Sequence, residues 1–471
     1  MKNIIKNIYL ILPLLVVFTS CEDYLDINDD PNNATEAPLT GLMARVSFET
    51  GDNTQNVGAI TSFYVQYLAS PNEASATDVQ EPVAYDQTWF ELYDVMTDIN
   101  DMNILARELN ATSYLAVGKI LKAYNLGLTV DLWGDIPYTD AFFAQTLNPS
   151  YDDSQILYDT IQNLLSDGIS ILANDSSAIQ LGEDDFIFQG DLDKWIKTAH
   201  ALKARYFLHL SKTGQFSAND VLTQTALSYT INDDNASVMY FEDFINPWAS
   251  VAINNSNLLL GGWISEQLVE TMDGSSFNVV DPRMPLMFGT TDEGTYVGTV
   301  NGAGRGDASE QGDRSTLVTD TYYASRTSEI NLITFSEVKF IEAEANLRAG
   351  NPVEAQLAYI EGIRAHFDQL GASDSLTNAY LNDPSVSVAA TNLTLELIFK
   401  EKYIALFLNP EAWTDARRFD YQYRDFEAPV NLNPELGGEL IRRVIYPESE
   451  TGRNGENTPT VQLTTRLWWD Q

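Results

Sequence analysis

Between residue 38 and about residue 232 large apolar side chains keep returning at helical spacing, which restricts the chain to a mainly α-helical architecture. The segment 154–172 shows this best, with Ile156, Leu157, Ile161, Leu164, Leu165, Ile169 and Leu172 on one stripe. Asp152, Asp153 and Ser154 offer caps and favourable charge at its start. A second helix over 193–211 buries Trp195, Ala199, Leu202, Tyr206 and Leu210, and further helices fit 55–69, 88–109 and 112–130. From 335 to 349 two faces are apolar, Val338, Ile341 and Ala345 on one and Phe340, Ala343 and Leu347 on the other, so that helix is packed on both sides. Gly350, Asn351 and Pro352 then make a turn into a partner helix over 354–370. Ala343, followed by Ala355, Tyr359 and Gly362, has the spacing of a tetratricopeptide-like pair, from which Asn346 departs. Two more helices are expected at 392–408 and 410–419.

The N-terminus follows a different rule. Lys2 and Lys6 precede an apolar run from Ile8 to Phe18, and Thr19, Ser20 and Cys21 follow, the order of an export signal. The run is too short to span a bilayer, which takes about 20 residues. Cys21 is the chain's only cysteine, so it has no disulfide partner within the chain, and it stands where a lipid-bearing cysteine belongs. Residues 1–20 are therefore expected to be a lipoprotein signal, Cys21 the lipidation point, 21–37 an extended tether, and 38–471 a single body anchored to the membrane through lipid alone. Asp26, Asn28 and Asp30 mimic a calcium loop, but Pro31 and Ala37 occupy the positions that need glycine and glutamate.

The whole chain carries a formal charge of −40, and without the two signal lysines 25 basic residues face 67 acidic ones. Such a field repels nucleic acid and polyanions and favours a neutral ligand or simple solubility in salt.

The stretch from about 246 to 328 reads as irregular loop structure, and its residues 289–314 hold seven of the 27 glycines. A sugar site needs flat apolar faces for C–H groups and a few donors and acceptors for hydroxyls. This insert supplies Trp248, Trp263, Tyr296, Tyr322 and Tyr323, interleaved with Asn254, Asn255, Asn257, Arg305 and Arg326. For Trp248 and Trp263, stacking on a ligand and local packing are both open. Adjacent Tyr322 and Tyr323 should point apart if extended, one inward and one toward the site. Trp89, Trp133, Trp195 and Trp413 lie in or beside periodic helices and are expected in the core, as are Trp468 and Trp469.

No catalytic residue or metal site is indicated. His200 and His209 share one helix but not the spacing that joins two ligands, and His366 is remote. The chain has neither a Gly-x-Ser-x-Gly elbow nor a GxxxxGK[ST] loop. A glycosidase needs only two suitably spaced carboxylates, and composition is silent on that.

Several segments resemble the SusD/RagB-like outer-membrane lipoproteins of the Bacteroidetes: DYLDINDDPNN (23–33), LWGDIPYTDA (132–141), WIKTAHALKARYFLHLS (195–211), DPRMPLMF (281–288), FSEVKFIEAEANLRAG (335–350), EKYIALF (401–407) with EAWTDARRF after it, RRVIYPESE (442–450) and the terminal LWWD. The resemblance implies four tetratricopeptide-like helix pairs forming a helical scaffold, with a loop-rich ligand-binding subdomain. It also implies that Asn72, Glu73 and Tyr85, on the long loop after the first helices, help build the site. Its functional implication is a cell-surface protein, without a cofactor, that captures neutral oligosaccharides such as a β-glucan. The implied partner is a SusC-type TonB-dependent transporter in the outer membrane. A peptide in place of the glycan, a surface glycoside hydrolase, or a pure scaffold are the alternatives.

Overall fold

The computed structural model describes residues 38–142, 146–256, 261–306 and 311–471, so the signal, Cys21, the tether and Asn257 lie outside the described residues. The first helix, α1 (Leu39–Tyr64), runs well upstream of the expected start at 55. Its N-terminal half escapes a hydrophobic reading because, after Leu39, Met43 and Val46, the buried face turns polar: Thr50 and Thr54 turn their hydroxyls onto Val46 O and Thr50 O, and Asn125 Nδ2 donates to Thr50 Oγ1 at 2.9 Å. Strand β1 (Leu68–Ala69) follows, and then helices α2 (Asp86–Glu108), α3 (Thr112–Trp133), α4 (Ser154–Leu172) and α5 (Leu192–His209), each packed on the one before. Nearly every residue of α3 is buried. Close approach there depends on glycine, since a Cβ on Gly127 would fall 1.9 Å from the Tyr206 hydroxyl of α5. Helix α4 starts on the expected cap, with Asp153 accepting from Gln155 N at 2.8 Å. Its buried stripe is Leu157, Ile161, Leu165 and Leu172, each contributing about 1.5–3 kcal/mol through burial, whereas Ile156 faces solvent.

Helix α6 (Ala218–Thr225) and strand β2 (Ala236–Val238) lead into the insert. That insert is not wholly irregular. It holds α7 (Pro247–Ser256), strand β3 (Trp263–Ile264), α8 (Glu266–Met272) and the single turn α9 (Met284–Met287). Short polar caps start two of these helices without any long apolar stripe: Asn246 Oδ1 accepts from Trp248 N at 2.7 Å, and Ser265 Oγ accepts from Gln267 N.

Strand β4 (Ile330–Ile333) pairs antiparallel with β2. It leads into the helical hairpin α10 (Phe335–Ala349) and α11 (Pro352–Gln369), whose turn places Gly350 in the left-handed region at φ 80°. Gly362 of α11 faces the Phe340 ring of α10, and the other side of α10 packs on α5 and α6. The chain ends with α12 (Asp374–Leu381), α13 (Leu395–Ala405), α14 (Glu411–Arg418) and α15 (Glu448–Arg453). The fold is mainly α-helical and tetratricopeptide-like, as expected. Among the described residues no helix is long and apolar enough to cross a membrane.

Candidate functional site

Loops from distant parts of the chain meet on one face. Strand β3 pairs with β1, Leu68 opposite Ile264 and Ala69 opposite Trp263. Ile264 N also donates to Ser315 O at 2.9 Å, and Thr299 N donates to Ile264 O at 2.8 Å, which brings both arms of the glycine-rich stretch onto the same short ladder. Beneath the ladder, Asp78 accepts from Ser70 N at 3.1 Å, Gly302 N at 2.7 Å and Asn301 Nδ2 at 2.6 Å. Burial raises the Asp78 pKa, and these three donors oppose the shift. A third loop joins where Val430 N donates to Asn301 O at 2.8 Å. At that crossing Gly302 sits at φ 79°, and a Cβ there would lie 1.8 Å from Val430 O. Gly304, at φ 66°, is pressed in the same way against the Glu73 backbone. These glycines serve close backbone contact between laced loops.

The platform so formed presents Asn72, Glu73, Arg305 and Asn431 to solvent. Arg305 is tied down through its backbone, N to Pro71 O at 3.0 Å, which leaves its guanidinium outside. Tyr296 is half-buried, with its ring edge-on to Phe288 at 5.6 Å. Tyr85 is also half-buried, and its hydroxyl bonds to those of Tyr64 at 2.8 Å and Thr77 at 3.3 Å. At the platform edge a cleft of about 330 Å³ is lined by Glu266, Glu270, Asp425 and Glu427 beside Asn301 and Val430. Burial, and then repulsion from Glu266 and the other acids, raises the Glu270 pKa. An anionic ligand would meet the same repulsion.

Four residues expected at the site lie inside the protein. Trp248 is 3% exposed and Trp263 2%, too enclosed for either to stack on a sugar in this conformation. The indole of Trp248 lies against α1, where a Cβ on Gly58 would stand 3.5 Å from it, and Trp263 is sandwiched by β1 and a bridge to Thr316. Tyr323 packs edge-on to Phe407 at 5.1 Å and bonds His366 Nε2 at 2.9 Å. Trp248 and Tyr323 border a small cavity of about 30 Å³, room for a water or two and no pyranose. Asn255 is buried too, whereas Asn254 is exposed. Tyr322 and Arg326 lie away from the platform: the Tyr322 ring meets Tyr323 edge-on and its hydroxyl accepts from Gln369 Nε2 at 3.2 Å, and Arg326 pairs with Glu242 at 2.7 Å. Trp89, Trp133, Trp195, Trp413 and Trp469 are buried and Trp468 half-buried. Asp78, Asn301 and Asn431 were not legible as site residues, although the Asn- and Pro-rich run 429–434 was a turn signal.

The residues that carry the resemblance form a buried ionic frame distinct from the platform. Arg205 clasps Glu337 through two 2.7 Å bonds, Arg418 clasps Glu344 through two of 2.9 Å, and Arg283 joins Asp281 to Glu401. Among the described residues no group of three or more His, Cys, Asp or Glu side chains could hold a metal ion.

Comparison with known proteins agrees with this architecture. No curated protein matches the chain. Solved structures do: a SusD/RagB family protein from Bacteroides thetaiotaomicron (22% identity, covering 92% of this chain and 99% of that one, TM-score 0.73) and a SusD homologue from Bacteroides fragilis (21%, 93% and 100%, TM-score 0.77). A third is a SusD homologue from Flavobacterium johnsoniae described as chitin-binding (21%, 91% and 98%, TM-score 0.75). Residues 31–447 match the SusD-like family described as starch-binding and associating with the outer membrane, and the chain belongs to that family.

Proposed function

We propose that the protein is a cell-surface binding protein for neutral oligosaccharides, that the laced loop platform holds the ligand, and that a SusC-type transporter receives it. The observation that carries this reading is the Asp78–Asn301 lacing, which holds Asn72, Glu73 and Arg305 exposed on a preorganised surface beside half-buried Tyr296. Amide, carboxylate and guanidinium groups are the donors and acceptors that sugar hydroxyls need. The carboxylate-lined cleft at the platform edge and the −40 net charge disfavour uronate or sulfated chains.

Calorimetry against chitin-, starch- and β-glucan-derived hexasaccharides and one charged glycan tests it. The chitin arm is included because one similar structure is described as chitin-binding. A neutral hexasaccharide should bind, and Asn72→Ala or Tyr296→Ala should weaken it by about 1–3 kcal/mol. Preference for the charged glycan or for peptides would overturn the reading. The carboxylates around Glu270 are the acidic group at the platform edge, and incubation with labelled polysaccharide is expected to yield no product. Attachment is proposed through lipid on Cys21: Cys21→Ser should move the protein from the membrane to the soluble fraction, and its retention would remove the anchor.

A further inference from the structure

Away from the platform a cleft of about 640 Å³ opens between the 187–189 loop, the segment around β2, Tyr322 and the end of α11. Its size falls in the usual range for small-ligand sites, about 300–1,000 Å³. Two amides on its lining have committed their nitrogens and left their oxygens without a donor. Asn232 Nδ2 donates to Ala365 O at 2.9 Å and Gln369 Nε2 to the Tyr322 hydroxyl at 3.2 Å, yet Asn232 Oδ1 and Gln369 Oε1 are shielded from water and unpartnered. Such acceptors call for a donor, and a ligand in the cleft supplies one when the two amides turn toward it. Among the described lining residues Lys194 is the only cation, and it is paired with Asp233 at 2.9 Å, while Asp368 and Glu329 add negative charge. An anion therefore finds no free counter-charge there.

The apolar share of the wall is Ile187, Met239 and two aromatic rings. Phe188 is fixed edge-on to Trp195 at 5.2 Å, and Tyr322 is fixed edge-on to Tyr323 at 5.0 Å. Met239, also on the wall, donates its backbone N–H to Phe186 O at 3.1 Å. The Phe186 ring in turn meets Phe241 at 6.0 Å, where the turn between Phe241 and Phe244 leaves both rings open to water, 45% and 65% exposed. A half-buried tyrosine ring with Phe188 on the same wall, orphaned acceptors and the lack of a free cation together fit a ligand rich in hydroxyls and C–H faces.

We propose that this cleft is a second saccharide site, taking a short neutral sugar segment independently of the loop platform. It deepens the proposed carbohydrate role, and its test separates the two. Hydrogen-exchange mass spectrometry on the full chain in detergent, with and without the same neutral hexasaccharides, reads both places at once. Protection of peptides covering 232–239 and 322–331 is expected for at least one sugar. Gln369→Met, which removes the orphaned acceptor at similar volume, should weaken that protection's apparent Kd about five- to tenfold, as should Phe241→Ala at the exposed turn behind Met239. Asn72→Ala should leave it unchanged. Protection confined to 70–85 and 296–306 would overturn the second site and keep the platform. Protection at neither place with any sugar would overturn both. Cleft protection insensitive to Gln369→Met and Phe241→Ala alike would overturn the assignment of these groups.

Discussion

Asn301 reaches across from the glycine-rich insert to place its Nδ2 2.6 Å from the Asp78 carboxylate, and the same amide group donates to Leu68 O at 2.9 Å. One side chain thus ties the insert both to strand β1 and to the loop that follows it. Replacing Asp78 by alanine removes three hydrogen bonds and leaves buried donors unpaired, at about 1–3 kcal/mol for each orphaned group. Asp78→Ala should lower glycan affinity and raise exchange in the 70–85 and 299–306 backbone, with the far-ultraviolet circular dichroism of the helices retained. An unchanged exchange pattern would show that the lacing does not hold the platform.

The ionic frame should be unforgiving. Arg418 is fully enclosed between Glu344 and Asp415, so Arg418→Leu leaves two buried carboxylates without their guanidinium. A loss of about 3–5 kcal/mol is expected in denaturant unfolding. Burial by itself would raise the Glu344 pKa, but Arg418 outweighs burial and holds it down at about 2. The stability this pair contributes is present above the unfolded carboxylate pKa and lost as pH falls from about 4.3 toward 2. Acid titration of the wild type, followed by tryptophan fluorescence, should show a transition in that window, and Glu344→Gln should flatten it.

His366 is held neutral. Burial first, and then the Arg283 guanidinium 3.0 Å from its Nδ1, push its pKa well below the ordinary value. Arg283 donates to Nδ1, so the ring proton lies on Nε2 toward the Tyr323 hydroxyl. Because the unfolded chain accepts a proton that the native state refuses, stability falls as pH drops below about 6.5, by up to about 1.4 kcal/mol per pH unit from this group. Melting temperatures measured between pH 7.5 and 5 should decline less steeply for His366→Gln.

Tryptophan substitutions distinguish packing from ligand contact. Trp248→Ala and Trp263→Ala should each cost about 3–5 kcal/mol of stability, as buried aromatic truncations do. Thermal melting checks this, and normal melting with lost sugar affinity would return these two rings to the site.

Helix type and order were written in local periodicity, as the stripe of α4 and the two-faced pattern of α10 show. Those signals are short-range, because an apolar repeat at helical spacing has few other ways to leave water. The first half of α1 was missed since its apolar stripe stops at Val46, and the buried face continues in Ser47, Thr50, Asn53 and Thr54, with the Thr50 and Thr54 hydroxyls meeting Asn125 and Tyr124 of α3, some 70 residues away in the chain. The motifs DPR, EKY and DARR were recognisable as sequence, but only the fold revealed that they are ion pairs sealed inside. Whether an aromatic residue stacks on a ligand or on a neighbour is likewise a long-range property: Trp248 and Trp263 look like sugar platforms in a loop-rich stretch until α1 and β1 close over them. Local composition determined that the chain is a helical body with a glycine-laden insert. The site faces were decided by contacts between segments far apart in the chain, such as Val430 on Asn301 and Arg305 on Pro71, because burial and exposure are set by what the folded chain brings alongside.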